Sequence, residues 1–203
     1  MRPAVATLVG GAASLLALSL RAGEALAAPF LRLLRLASLK ARCRGRVPAT
    51  LRFDGPVHLV GRPRVSFGDY CRLGRDVVIE TGGDARIVIG DHVRVNAGTF
   101  LIAHAGITIG SHTLIGEHVS LRDADHGIRP DALIRTQPHQ GSPIEIGEDA
   151  WIGRGAAVLK GVRVGRGAIV GANSVVTRDI PEMTIAAGVP ARPLRRRGEA
   201  TPT

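Results

Sequence analysis

Between Phe67 and Ile180 the chain repeats an aliphatic or aromatic residue every sixth position. The leading residues are Phe67, Leu73 and Ile79; Ile89, Val95 and Leu101; Ile109, Ile115 and Leu121; Ile146, Ile152 and Val158; then Val164, Val170 and Val176. Gly follows most of them. Four places after each leading residue stands a small or β-branched one, as at Cys71, Val93, Thr99, Thr113, Ala156, Ala168, Ser174 and Ile180. Asp125 breaks this rule. A period of six matches neither the 3.6 of a helix nor the two of a half-buried strand. It is a signature of a parallel β-helix, in which three hexads, about 18 residues, close one triangular coil. Successive coils stack at strand spacing, about 4.8 Å. Leading and fourth-following residues point into a thin core, and a Gly after a leading residue is expected to permit the corner.

The rhythm is interrupted after Ile79, Leu101 and Leu121, and resumes at Ile89, Ile109 and Ile146. The last gap is the longest. Long loops inside compact repeats usually carry function. With Asp125 in a slot that should be apolar, the coil is expected to open there and release an irregular loop, Gly127–Ser142. His126 stands at its start, in Leu121–Arg122–Asp123–Ala124–Asp125–His126–Gly127.

Residues 4–20 are uncharged between Arg2 and Arg21. A membrane-spanning helix needs about 20 apolar residues, so the length is borderline, and Gly10–Gly11 weakens it. A secretory signal fits the basic start and Ala25–Leu26–Ala27, but Arg21 and Glu24 sit badly in one. A membrane-surface helix starting at Pro29 would mix Leu with snorkelling Arg across Phe30–Leu36. A helix packed on the body or on a neighbouring subunit is the plainer alternative. The chain thus divides into a helical basic and apolar segment 1–47, a β-helix 48–191 and a basic tail 192–203.

Composition narrows the picture. Only 3% of residues are aromatic while Gly numbers 26, which suits a slender aliphatic core. The two cysteines, Cys43 and Cys71, form no disulfide framework or metal motif and are compatible with a reducing cytoplasm. The net charge of +10 lies at the ends: residues 1–50 carry +7, residues 192–203 carry +3, and the body between is neutral. A neutral body argues against a nucleic-acid groove. The basic ends remain available to a membrane surface or a phosphate.

His126 is the primary chemical candidate, because imidazole titrates near working pH and suits a general base. Asp123 or Asp125 could fix its tautomer, as the third member of a triad does. A solvent-facing loop histidine bonded to local aspartates is the competing reading. Asn96 stands after Val95 where most hexads carry Gly, either as a corner residue tolerant of turn geometry or as a site residue stacked near His126.

Three blocks carry a family resemblance. Ile146–Gly147–Glu148–Asp149–Ala150–Trp151–Ile152–Gly153, Val170–Gly171–Ala172–Asn173–Ser174–Val175–Val176–Thr177–Arg178–Asp179–Ile180–Pro181 and Ala187–Gly188–Val189–Pro190–Ala191–Arg192 are similar to motifs of the hexapeptide-repeat acyltransferases. The likeness is strongest to galactoside- and maltose-type and surface-polysaccharide sugar O-acetyltransferases, over roughly residues 60–195. It implies an all-β, left-handed parallel β-helix; the spacing itself does not fix the hand. It further implies a homotrimer with sites between subunits, acetyl-CoA as acyl donor, and no metal. His126 would take the proton from an acceptor hydroxyl, which attacks the thioester directly. Asn96 would contact acceptor and thioester. Trp151, Arg154 and Ala172 would line the pantetheine arm, with Thr177, Arg178, Arg192 and Arg195 toward the nucleotide.

The resemblance has departures. Arg178 replaces the usual Lys, and His104 and Gly82 stand where the galactoside enzymes place acidic and serine residues that contact the acceptor. The acceptor implied is a sugar hydroxyl, on a polysaccharide or glycolipid precursor. The N-terminal acceptor-binding segment of the galactoside enzymes is replaced here by the basic, apolar residues 1–46, which are expected to hold a cytoplasmic enzyme at the inner membrane face. Alternatives are an N-acyltransferase on an amino or nucleotide sugar, a γ-type carbonic anhydrase-like zinc enzyme using His92, His112 and His118, and a non-catalytic β-helix scaffold. Arg129, Gln137 and His139 in the loop are expected to help choose the acceptor.

Overall fold

The computed structural model describes residues 3–199. The hexads fold as read, into a parallel β-solenoid of about seven coils with three flat faces. The first face has eight strands, the second six and the third five. Leading residues lie directly above one another. On the first face Leu73 pairs with Val95, Val95 with Ile115, Ile115 with Ile152 and Ile152 with Val170. All are fully buried, as are the leading residues of the other faces. Polar residues in the fourth-following slots are tied to the next coil. Thr99 Oγ1 donates to the Gly116 carbonyl and Thr113 Oγ1 to that of Gly147, both at 2.9 Å.

The Gly that follows most leading residues has a different purpose from the one expected. The corner strain falls two residues later, where His92, His112, His118, Asp149 and Asn173 adopt φ between 55° and 63°. That is a left-handed conformation which His, Asp and Asn tolerate best. The Gly instead permits close stacking: a Cβ on Gly110 would stand 2.5 Å from Glu148 N, and one on Gly116 2.6 Å from Arg154 N. These turns also bear on the zinc reading. His92 stacks between Tyr70 and His112 along the third-to-first edge, whereas the His118 ring covers Gly98 on the first-to-second edge. The three histidines do not converge within one chain.

The N-terminal segment is one helix, Pro3–Arg42, continuous through Pro29 rather than starting there. At 1.5 Å per residue it is about 60 Å long. Its last turns close the open end of the first coil. Leu39 is 3% exposed, Leu36 packs against the core, and Arg42 donates to the Leu59 carbonyl at 2.7 Å. This end cap covers apolar groups that the first coil would otherwise expose. Cys43 joins it, and burial pushes its thiol up to about 11, so it is an inert packing residue. Farther out, Leu16, Leu18, Leu20, Leu26, Phe30, Leu33 and Leu34 are exposed. No helix among the described residues is long and apolar enough to cross a membrane.

The opposite end also differs from expectation. Residues 192–196 are not a free tail. They lie in the strand Ala191–Arg196, antiparallel to Thr184–Gly188, and finish the first face. Arg197 Nη1 then bonds Asp149 Oδ2 at 2.7 Å and pins the strand down.

Candidate active site

The long interruption is an ordered hairpin. Ala124–His126 pairs antiparallel with His139–Gly141, setting His126 opposite His139. The tip is organised by Gln137, which is buried. Its Oε1 accepts from Arg129 N, and its Nε2 donates to the carbonyls of Arg129 and Ala132, all at 2.9 Å. Gln137 is therefore an internal brace of the loop and Arg129 pairs with Asp131.

The inward slot assigned to Asp125 is not where that residue lies. Asp125 is not in the core; it is exposed on the hairpin and pairs with Lys160 at 3.0 Å. The insertion resets the phase, so Gly83, Ala105 and Asp125 all turn outward at this edge. Ala85, Ile107 and Ile144 fill the core instead. Asp123 is the fully buried carboxylate. It accepts the backbone N–H groups of His104, Ala105 and Gly106 at 2.6, 2.8 and 2.5 Å. Its carboxylate oxygens are thus occupied in tying one coil's corner to the next coil's hairpin, rather than in orienting His126.

What touches the exposed His126 ring is another ring. His139 lies 4.5 Å away, centroid to centroid, at 40°. His139 in turn stacks on His104 at 4.3 Å and 21°. His104 covers Gly82, where a Cβ would come within 2.5 Å of its Nδ1. Sequence reasoning noted His104, His139 and Gly82 separately. Only the hairpin register brings them into one row.

Asn96 and His126 do not meet within one chain. Asn96 follows the first-face strand Arg94–Val95; His126 follows the second-face strand Ser120–Arg122. They lie on opposite long edges of the second face. The other residues that the sequence nominates for the site divide likewise. Arg154 and Ala172 share the edge of Asn96, while Thr177 and Arg178 share that of His126. The Asn96 Oδ1 accepts from Arg94 Nε at 2.8 Å, which leaves the amide NH₂ as the outward donor.

Along the first face the outward positions change character. Arg52, Arg72 and Arg94 come first, then Leu114, Trp151, Ile169 and Ile185 in one paired row. Trp151 is 51% exposed between Leu114 and Ile169. At the far end Arg195 pairs beside Ile185, and Arg192 beside Ala187. An apolar strip ending in two guanidinium groups suits a flexible arm ending in phosphates.

The bacterial transferase hexapeptide (six repeats) family matches residues 143–178. The putative lipopolysaccharide biosynthesis O-acetyl transferase WbbJ of Escherichia coli K12 is 32% identical over 164 residues, which cover 77% of this chain and 80% of that protein. The galactoside O-acetyltransferase of Lactococcus lactis is 32% identical over 129 residues, covering 64% of this chain and 61% of that one. Among solved structures, a hexapeptide-repeat acetyltransferase of Vibrio cholerae complexed with acetyl coenzyme A is 28% identical with a TM-score of 0.56, covering 82% of this chain and 78% of that chain. With the repeat, the stacked fold and a relative matched over four fifths of its own length, the chain belongs to the hexapeptide-repeat acyltransferases.

Proposed function

We propose that the protein is an acetyl-CoA-dependent O-acetyltransferase acting on a sugar hydroxyl of a polysaccharide or glycolipid precursor. His126 serves as general base. The acceptor O–H loses its proton to the imidazole as the oxygen attacks the thioester carbonyl, and the CoA thiolate leaves with that proton. The outward NH₂ of Asn96 donates to the carbonyl oxygen as it gains charge. The donor arm lies on the strip of Leu114, Trp151 and Ile169, with Arg154 and Ala172 along its edge. Its phosphates lie toward Arg192 and Arg195, while Thr177 and Arg178 approach from the other edge.

The observation that carries this reading is the division of the site between two edges of one face. Three prisms packed around a threefold axis with the second face inward bring one copy's Asn96 edge against the next copy's His126 edge. The outward row of that face, His58, Val78, Phe100, Ser120, Ala157 and Val175, is mostly small or apolar, which favours burial. The third face carries the exposed ion pair of Glu145 and Arg163 and suits solvent.

The test is thiol release from acetyl-CoA with a panel of sugars, run on co-expressed Asn96→Ala and His126→Ala chains. Each variant alone is expected to be nearly inactive. Random trimers of the two should recover about a quarter of wild-type activity, since one site in four then draws both native edges. No recovery in mixed trimers would refute the shared site. Transfer to amino sugars but not to their hydroxyl counterparts would replace the O-acetyl reading with the N-acyl one.

The exposed leucines of the N-terminal helix, interspersed with Arg21, Arg32 and Arg35, support placement at the cytoplasmic face of a membrane carrying anionic lipid. Removing residues 1–30 leaves the docked turns in place. That truncation should abolish co-sedimentation with phosphatidylglycerol vesicles while activity on a soluble acceptor persists. Equal sedimentation of both forms would refute the placement. A cut at residue 46 would confuse the result, because it takes Leu39 and Cys43 out of the core.

A further inference from the structure

We infer that the positioning residue of His126 is an imidazole, His139, braced from behind by His104; the inference rests on His126 being the base. Neither aspartate beside His126 is placed for that work. Asp123 is taken up by three backbone N–H groups and Asp125 by Lys160. His139 is opposite His126 in the hairpin register, and their rings are in contact. A ring held on a two-strand ribbon still turns about its side-chain bonds. A second ring packed against it removes that freedom, and the second ring needs a backing of its own. His104 supplies it through the 4.3 Å stack. His104 can lie there because residue 82 is Gly: a Cβ at that position would meet the His104 ring. The backbone N–H of His104 is itself fixed by Asp123. The chain of support therefore runs from the core carboxylate, through His104 and His139, to the face of His126.

His139 acts here through its shape. It takes no proton in the reaction and needs no particular tautomer. A flat ring without nitrogen should do the same work, and an alanine should not.

The experiment measures kcat, KM for acetyl-CoA and melting temperature for His139→Ala, His139→Phe, His104→Ala and Gly82→Ala, beside His126→Ala. His139→Ala should lower kcat about 10- to 100-fold, the scale of a misplaced catalytic group. Its KM for acetyl-CoA and its melting temperature should stay as in the wild type, since His139 is exposed. His139→Phe should restore most of the rate. His104→Ala and Gly82→Ala should give similar, smaller losses, because each displaces the brace. Wild-type turnover in His139→Ala, with His126→Ala inactive, would overturn this inference and leave the base assignment standing. An equal loss in His139→Phe and His139→Ala would also overturn it, by showing that His139 acts through its nitrogens. Undiminished turnover in His126→Ala would remove the base and the inference together.

Discussion

His126→Ala is expected to lower kcat for thiol release by about 10²–10⁴-fold, the usual contribution of a general base. That range corresponds to about 3–5 kcal/mol of lost transition-state stabilisation. The KM for acetyl-CoA should change little, because the strip proposed for the donor, Leu114, Trp151 and Ile169, lies on another face. Stability should hold within about 0.5 kcal/mol, since the side chain is exposed on a surface hairpin and buries nothing in the core. A kcat effect without a stability effect separates a chemical role from a packing one. Steady-state kinetics and a melting curve on the same preparation decide it, and unimpaired turnover would sink the mechanism.

The sequence displayed the solenoid because its core repeats. Val95, Ile115, Ile152 and Val170 stand in one stack, and each occupies the same phase of its hexad. What it hid lies where that phase is broken. At the second-to-third edge the insertions of three consecutive coils reset the count, so the slot assigned to Asp125 is outside and Asp123 is inside. The facing of His126 and His139 across a hairpin tip has no periodic trace, since antiparallel pairing couples residues that converge from both ends of a loop. The separation of Asn96 from His126 was there to be read: Val95 is the second leading residue of its coil and Leu121 the third of the next, so the residues after them stand on different edges. His92, His112 and His118 share one phase of the hexad, three places after a leading residue, although the left-handed backbone that favours them there has no trace in the sequence pattern.

Asp123→Ala is expected to cost about 3–5 kcal/mol, the scale of breaking a buried charged network, and hydrogen bonds to charged groups contribute about 1.5–3 kcal/mol each. The carboxylate is fully buried and accepts three N–H groups that its removal would leave without that partner. In a chain of this size each kcal/mol shifts the melting temperature by about 2–4 °C, so a drop of about 10 °C follows. Asp123→Asn keeps one acceptor oxygen but turns an NH₂ toward backbone donors, and should fall between wild type and alanine. The same variants discriminate between two roles for this residue. If Asp123 fixed the tautomer of His126, the asparagine variant would lose turnover at temperatures where it is fully folded, with little change in melting. If it ties the corner His104–Gly106 to the hairpin root, melting falls first. Turnover then falls only as far as His104 shifts against His139. The bonding pattern predicts the second outcome: a low melting temperature with residual activity at 15 °C, about that of His104→Ala, whose brace is lost in the same way. An Asp123→Ala protein that melts with the wild type would show that the three N–H groups find other partners, and that the corner does not depend on this carboxylate.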